Sequence, residues 1–277
     1  MDGLGTPARG RHYATEMVDG ERDDRQAALV TGGSRGIGRA IARALAERGD
    51  RVAVHYGADR EAAEQTLGSL TGEGHVLVGG DLRDPDAAAD VVRQSDDQLG
   101  GIDILVNNAA IAPSEGNRHR IDQTTYEAWQ AAWRQMLDVD LLGAAQVTYL
   151  VARGLIDRKA PGFIVNVGSR GAFRGEPDFP AYGAAKAGLH AFGQSMALAL
   201  APHGIVVNTI APGFISSDRQ SAALEGPAGD DLRAQSPFGR VGTPDEVARA
   251  VLFLSSPAAT WASGAVLDFN GASYLRT

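Results

Sequence analysis

Seven short runs rich in β-branched residues alternate along the chain with stretches of helical periodicity, and this alternation limits the possible folds more than any other feature. The runs are QAALVT (26–31), RVAVHY (51–56), HVLVG (75–79), DILVNN (103–108), FIVNVG (163–168), IVVNTI (205–210) and AVLDFN (265–270). Strands that alternate with helices predict βαβ units and hence a parallel sheet. The near-continuous apolar character of the runs predicts strands covered on both faces, as a parallel sheet requires. The helix signals agree. Ile37, Ile41 and Leu45 recur every fourth residue and stop at Gly49, a residue type that closes helices in the left-handed region. DPDAAADVVRQSDDQ opens with an Asp cap and a Pro in the first turn, and TPDEVARAVLFLSS (243–256) repeats that logic with Thr243 and Pro244. Two longer helical patterns, about 126–158 and 181–202, flank the fifth run. The expected fold is α/β, a seven-stranded parallel sheet with helices on both faces. With no composition break, residues 26–277 are expected to form one domain.

The chain has 277 residues, 44% hydrophobic and 22% charged, values typical of a folded globular protein. Its formal charge of −8 supplies no basic field for a nucleic-acid backbone or an anionic membrane, so neither is an expected partner. The absence of cysteine excludes disulfides, thiolate metal sites and cysteine nucleophiles. Six histidines, at positions 12, 55, 75, 119, 190 and 203, show no metal-ligand spacing, and no metal is expected. The first 25 residues lack the apolar core of a secretory signal and, rich in Gly, Asp and Arg, are expected to form a flexible extension. No run approaches the roughly 20 apolar residues of a membrane helix, and a cytoplasmic location is expected. A second mobile stretch is expected at about 214–238, where Ser, Gly, Pro and charge replace periodicity.

ALVTGGSRGIGRAIARAL carries the first run into a glycine-rich turn and then into a helix. Such a turn lets backbone approach a ligand, and the fresh helix N-terminus offers unpaired N–H groups and a positive dipole end to a phosphate. The nucleoside-triphosphate loop does not fit, because Gly38 is followed by Arg39 and Ala40 rather than Lys and Ser or Thr. The G-x-G-x-x-G fingerprint fits imperfectly, with Ile41 at its last glycine. The spacing that fits is Thr31-Gly32-x-x-x-Gly36-x-Gly38. In isolation the turn is also compatible with a purely structural β-to-α connection.

Tyr182 and Lys186 stand four residues apart at the start of a long helical pattern, so they project from one face and can act on one molecule. With the glycine spacing, this pair resembles the short-chain dehydrogenase/reductase family in its compact single-domain form, most nearly its 3-oxoacyl-carrier-protein-reductase-like members. The resemblance runs from about residue 26 to 272. It includes NNAA from Asn107, Ser169 thirteen residues before Tyr182, NTIAPGFISS from Asn208 and a closing SGAVLDFNGA.

That resemblance implies that the α/β sheet is Rossmann-like and doubly wound and that the chain is a dinucleotide-binding catalytic domain, with NAD or NADP lying across the carboxyl ends of the strands. It implies cofactor contact by Gly32, Ser34, Arg35, Gly36, Ile37 and Gly38 of the turn, by Asp81 and Leu82 near the adenine, and by Asn108 and Ala109 near the adenosine-side ribose. Pro212, Gly213, Ile215 and Ser217 would border the nicotinamide. For Asn107 and Asn108, bonding at the strand end is an equal alternative. In the implied chemistry Tyr182 is the acid/base, Ser169 orients the substrate oxygen, and Lys186 binds the ribose and lowers the phenol pKa, assisted by oxidised nicotinamide. One position departs from the family: Asp140 stands where the "N-L-x-G" stretch carries Asn. Tyr56-Gly57 at the end of the second run, where an acid would select NAD, and Arg35 in the turn favour NADP(H), with NAD(H) possible and Asp59 and Arg60 able to shift the balance. Arg170, Arg174, Glu176, Asp178 and Phe179 are either pocket or exposed loop residues. Trp129, Trp133 and Met136 suit core or subunit contacts, and a homotetramer is implied by analogy. The expected activity is reduction of a carbonyl, or oxidation of a secondary alcohol, with NADP(H). The alternatives are an NAD-dependent sugar or secondary-alcohol dehydrogenase and a non-catalytic dinucleotide-binding sensor, the latter prompted by Asp140.

Overall fold

The structure, a computed structural model, describes residues 25–216, 224–227 and 229–276. The expected N-terminal extension lies outside the described residues except for Arg25, as do Ser217 and part of the 214–238 stretch.

The strands form where the apolar runs predict them: β1 (Ala27–Val30), β2 (Arg51–Tyr56), β3 (Val76–Gly79), β4 (Ile104–Asn107), β5 (Gly162–Val167), β6 (Ile205–Pro212) and β7 (Val266–Phe269). They make one sheet in the order β3-β2-β1-β4-β5-β6-β7, and every pairing is parallel. Successive side chains on a strand point to opposite faces, and here both faces are buried. On β1, Ala28 and Val30 join one core while Ala27 and Leu29 join the other. β5 repeats the division, with Phe163, Val165 and Val167 on one side and Ile164 on the other. The apolar runs are therefore continuous because neither face meets water.

The first core is closed by α1 (Gly36–Arg48) and α9 (Pro244–Leu254), through Ile41, Leu45, Val247 and Val251. The second is closed by α3 (Pro85–Leu99), α5 (Ala144–Arg158) and α7 (Pro180–Leu200), through Val91, Leu99, Val151, Leu155 and Leu200. Further α-helices are α2 (Arg60–Leu67), α4 (Tyr126–Leu137), α6 (Gly171–Arg174) and α8 (Gly229–Ala234).

The predicted end signals operate as expected. Gly49 adopts φ 104° and donates to Ala46 O at 3.0 Å, closing α1 in the left-handed region. The Asp84 carboxylate accepts from Asp86 N, and Thr243 and Glu246 form a reciprocal capping box at α9.

Two expectations need correction. The 126–158 pattern is not one regular helix, because a π-helical turn at Asp138–Gly143 separates α4 from α5. It inserts Asp140 into the interior, where only 1% of its surface is exposed. In addition, Tyr126–Arg158 as a whole is long and apolar enough to cross a membrane by length and composition, with a mean hydropathy of 1.3 over its most apolar window. Its apolar stripe, Val147, Val151 and Leu155, packs instead against the sheet.

Candidate active site

β1 and β4 are neighbours in the sheet, yet the chain leaves β1 toward β2 on one side and returns on the other. Their carboxyl ends therefore open a crevice, the place where doubly wound sheets bind ligands. Three loops meet there. Thr31, buried at 1% exposure, organises two of them. Its hydroxyl donates to Val106 O and accepts from Asn108 N at 2.9 Å and Ala109 N at 3.0 Å. The Asn108 amide donates to Thr31 O and Gly32 O, so its nitrogen is committed to holding the glycine turn. Asn107 does the same one layer deeper, donating to Thr148 Oγ1 and Asn166 Oδ1. Strand-end bonding is thus realised for both asparagines.

The turn itself is a backbone surface. Gly32 and Gly36 sit at φ +63° and +54°, conformations that side chains resist. A Cβ on Gly38 would lie 2.2 Å from Gly32 O and 2.5 Å from Asn108 Nδ2, so only glycine fits. His55 Nδ1 accepts from Gly32 N and its Nε2 donates to Gly80 O, both at 3.0 Å, which fixes a neutral tautomer and links the turn to the end of β3. Burial lowers the His55 pKa, in keeping with that neutral state. Ser34 is buried, its carbonyl held by Thr66 and Arg39, and Ile37 packs on the first core.

Arg35 begins α1 without offering a side-chain cap, so the first-turn N–H groups have no side-chain acceptor there. Its guanidinium pairs with Asp59 Oδ2 at 2.7 Å, while Asp59 Oδ1 caps α2 by accepting from Ala62 N. Arg35 Nε is buried without a partner. An uncapped helix start, a glycine path with no room for Cβ atoms and an orphaned cationic donor together fit the phosphates of a dinucleotide.

Asp81 is held by Arg83, whose hydrogen bonds depress its pKa despite the opposing effect of partial burial, and Leu82 is buried against the π-helical turn. On the far side of the crevice, Pro212 ends β6 and Gly213 N donates to Phe269 O at 3.0 Å. Ile215 bridges Gly242 and lines a cavity of about 250 Å³ with Arg170, Phe238 and Asn270. Ser169, Tyr182 and Lys186 are not in that cavity's lining, so the proton-handling groups lie elsewhere.

Those three residues do meet. Ser169 lies two residues past the end of β5, its hydroxyl accepting from Gly171 N at 3.0 Å and its own N–H donating to His190 Nε2 at 3.3 Å. Tyr182 and Lys186 lie on the first turns of α7. Lys186 Nζ stands 5.8 Å from the centre of the Tyr182 ring and donates to Val167 O at 3.0 Å. Burial raises the phenol pKa above its ordinary value, opposed by a hydrogen bond with Ser169 and reinforced by the charges of Asp140 and Glu176. This differs from the expected lowering by Lys186. The reason is desolvation: burial also pulls the lysine pKa down, against the attraction of Asp140. These surroundings hold the phenol protonated.

Asp140 Oδ1 accepts from Ile111 N at 2.7 Å and Oδ2 is buried without a partner. Burial raises its pKa to about 6 against the lowering effects of Lys186 and the Ile111 N–H. His190 sits four residues beyond Lys186 on α7, its ring tilted 45° against that of Phe173 with ring centres 4.9 Å apart. Burial, then the charges of Lys186 and Arg276, drop its pKa to about 4, consistent with an imidazole that accepts from Ser169. Neither this role nor those of Thr31 and His55 was predicted from sequence. Regular spacing does not mark a contact between residues 21 or 77 positions apart.

Comparison with known proteins adds relatives to this geometry. A family described as enoyl-(acyl carrier protein) reductase matches residues 32–271. The 3-oxoacyl-[acyl-carrier-protein] reductase FabG of Vibrio cholerae is 38% identical over 248 residues, spanning 90% of this chain and 97% of that one. The acetoacetyl-CoA reductase of Shinella zoogloeoides is 35% identical over 248 residues, 90% of this chain and 98% of its own. Among solved structures, a dehydrogenase/reductase from Sinorhizobium meliloti 1021 superposes with a TM-score of 0.81 at 30% identity, covering 90% of this chain and 95% of the other.

Proposed function

Because the chain belongs to the short-chain dehydrogenase/reductase family, and so is an NAD(P)-dependent oxidoreductase acting on CH–OH and C=O groups, we propose that it reduces a ketone with NADPH through Tyr182, Ser169 and Lys186. The observation that carries this reading is the half-buried Tyr182, its phenol held protonated beside Ser169 at the carboxyl edge of β5. When bound, the nicotinamide supplies the hydride that a carbonyl carbon needs. The chain's own residues supply the rest. Ser169 donates a hydrogen bond to the carbonyl oxygen and fixes its position. Tyr182 transfers its proton to that oxygen as negative charge develops, work for which a protonated phenol is already loaded. Lys186, four residues along the same helix face, stabilises the phenolate left behind and orients the ribose hydroxyls.

The glycine turn from Gly32 to Gly38, with the uncapped start of α1, would hold the pyrophosphate. Asp81 and Leu82 would border the adenine, Asn108 and Ala109 the ribose, and Pro212, Gly213 and Ile215 the nicotinamide. NADP(H) is the favoured form. Asp59, the nearest acid after β2, has its two oxygens engaged by Arg35 and Ala62 N, whereas Arg35 Nε is an unused buried donor for a 2′-phosphate. The named relatives support a 3-oxoacyl thioester as the first substrate class to test. A homotetramer is proposed on family grounds, supported by Tyr149 and Leu198, which expose 66% and 82% of their surface on the long helices flanking β5. The cysteine-free composition supports a cytoplasmic setting.

The test is NADPH oxidation with acetoacetyl-CoA and a panel of simple ketones, wild type against Tyr182→Phe. Turnover should fall about 10²–10⁴-fold in the variant with NADPH affinity retained. Equal turnover by the two proteins would remove Tyr182 from the chemistry.

A further inference from the structure

The helix that carries Tyr182 starts badly by local rules. Its N-cap is Phe179, which has no side-chain acceptor, and Pro180 at the next position has no N–H. The first N–H in need of a partner is Ala181, immediately before Tyr182 and fully buried. Its partner comes from far along the chain: His119 Nε2 accepts from Ala181 N at 3.0 Å across 62 residues. We propose that His119 is a positioning residue for Tyr182, a helix cap delivered from a distance that fixes where the phenol sits. This inference rests on the assignment of Tyr182 as the acid.

The surroundings of His119 are those of a built clamp. The residue is 1% exposed. Its other ring nitrogen, Nδ1, stands 2.8 Å from Asn117 O. Since Nε2 must accept, Nδ1 carries the proton, and one neutral tautomer satisfies both partners. The ring is held edge-on between Trp129 and Phe179, with centroid distances of 5.9 and 6.1 Å. The backbone joins in, His119 N donating to Asp178 O at 3.0 Å. The flanking arginines reach the same segment, Arg120 at 3.0 Å and Arg118 at 3.6 Å from the Asp178 carboxylate. Five contacts thus fasten the loop before α4 onto residues 178–181, and the imidazole is the member that bonds the helix itself.

The two nitrogens allow a clean separation of roles. Gln places an amide oxygen near the Nε2 position and keeps an acceptor for Ala181, whereas Asn reproduces Nδ1 only. His119→Asn should lower kcat about tenfold, leave NADPH affinity within about twofold of wild type, and speed amide exchange in the peptide covering 178–184. His119→Gln should restore slow exchange there and keep kcat within about threefold of wild type. If the Asn variant does not fold, the Gln variant decides by itself: activity and exchange like wild type support the cap, and loss of both overturns it. Equal losses in Asn and Gln variants would reduce His119 to packing and overturn the proposal, as would faster exchange with unchanged kcat. The underlying assignment fails in a different way, by full turnover in Tyr182→Phe, and that result leaves the exchange difference between Asn and Gln variants readable.

Discussion

Replacing Asp140 by Asn should make the protein more stable at neutral pH, the reverse of what usually follows when one partner of a buried charged couple is removed. Asp140 is 1% exposed, and burial moves its pKa from the ordinary 3.8 to about 6. Each pH unit between the two values is worth about 1.4 kcal/mol, so the ionised carboxylate costs the folded state about 3 kcal/mol. The attraction of Lys186 is already contained in that value, since it acts to lower the pKa and burial prevails. Asparagine imitates the protonated acid. Its Oδ1 can still accept from Ile111 N, the only hydrogen bond that Asp140 makes among the described residues. The pH dependence has a definite sign. Below about pH 4 the carboxyl is protonated in folded and unfolded chains alike, and the variant gains nothing. Between about pH 4 and 6 the unfolded chain ionises while the folded one resists, so wild-type stability falls as pH rises. Above about pH 6 the penalty is complete. Urea unfolding of both proteins at pH 4.5, 6 and 7.5 should show a gap that opens from about 1 to about 3 kcal/mol. A variant no more stable than wild type at pH 7.5, or one whose advantage is the same at all three values, would refute the reasoning.

Other substitutions probe the crevice. Arg35→Ala removes the orphaned guanidinium donor and should lower the NADPH-to-NADH ratio of kcat/KM about 10–100-fold, the worth of a charge-assisted hydrogen bond of about 1.5–3 kcal/mol; an unchanged ratio would place 2′-phosphate recognition elsewhere. Gly38→Ala forces a Cβ to within 2.2 Å of Gly32 O, and should cost about 1–3 kcal/mol in urea unfolding together with most of the measurable NADPH affinity by fluorescence titration. Thr31→Val keeps the shape but strands the N–H groups of Asn108 and Ala109, and is expected to cost at least about 2 kcal/mol; a melting temperature equal to wild type would show that water replaces the hydroxyl without penalty.

The sheet was legible because strand burial on both faces writes itself as continuous apolar runs, and each predicted run meets its strand within a residue or two. Gly49, Asp84 and Thr243 were legible for a similar reason: a cap is chosen by backbone geometry within three or four residues. Tyr182 and Lys186 stand out by their four-residue spacing on one helix face and Ser169 only through the family resemblance; the structure places the three near one another. What sequence concealed depends on contacts between distant segments or on desolvation. The His119 cap joins residues 62 positions apart, and nothing near His119 marks it as an acceptor. The sign of the Tyr182 shift follows from burial, which pairwise reasoning about Lys186 did not include. The π-helical turn also left no mark in the apolar periodicity, which runs from α4 into α5 as if unbroken.

That turn has a consequence for how the two helices divide their work. An extra residue in a helical register rotates everything downstream by roughly a quarter turn relative to everything upstream, so α4 and α5 face different neighbours despite being one rod. Leu141, within the wide turn, can then press on α7 where Gly188 leaves space, with 3.0 Å to a notional Cβ. Excising a single residue between 138 and 143 would tighten the coil to ordinary pitch, swing either the Trp129 side or the Val147 side out of register, and uncouple the phenol-bearing helix from the sheet behind it.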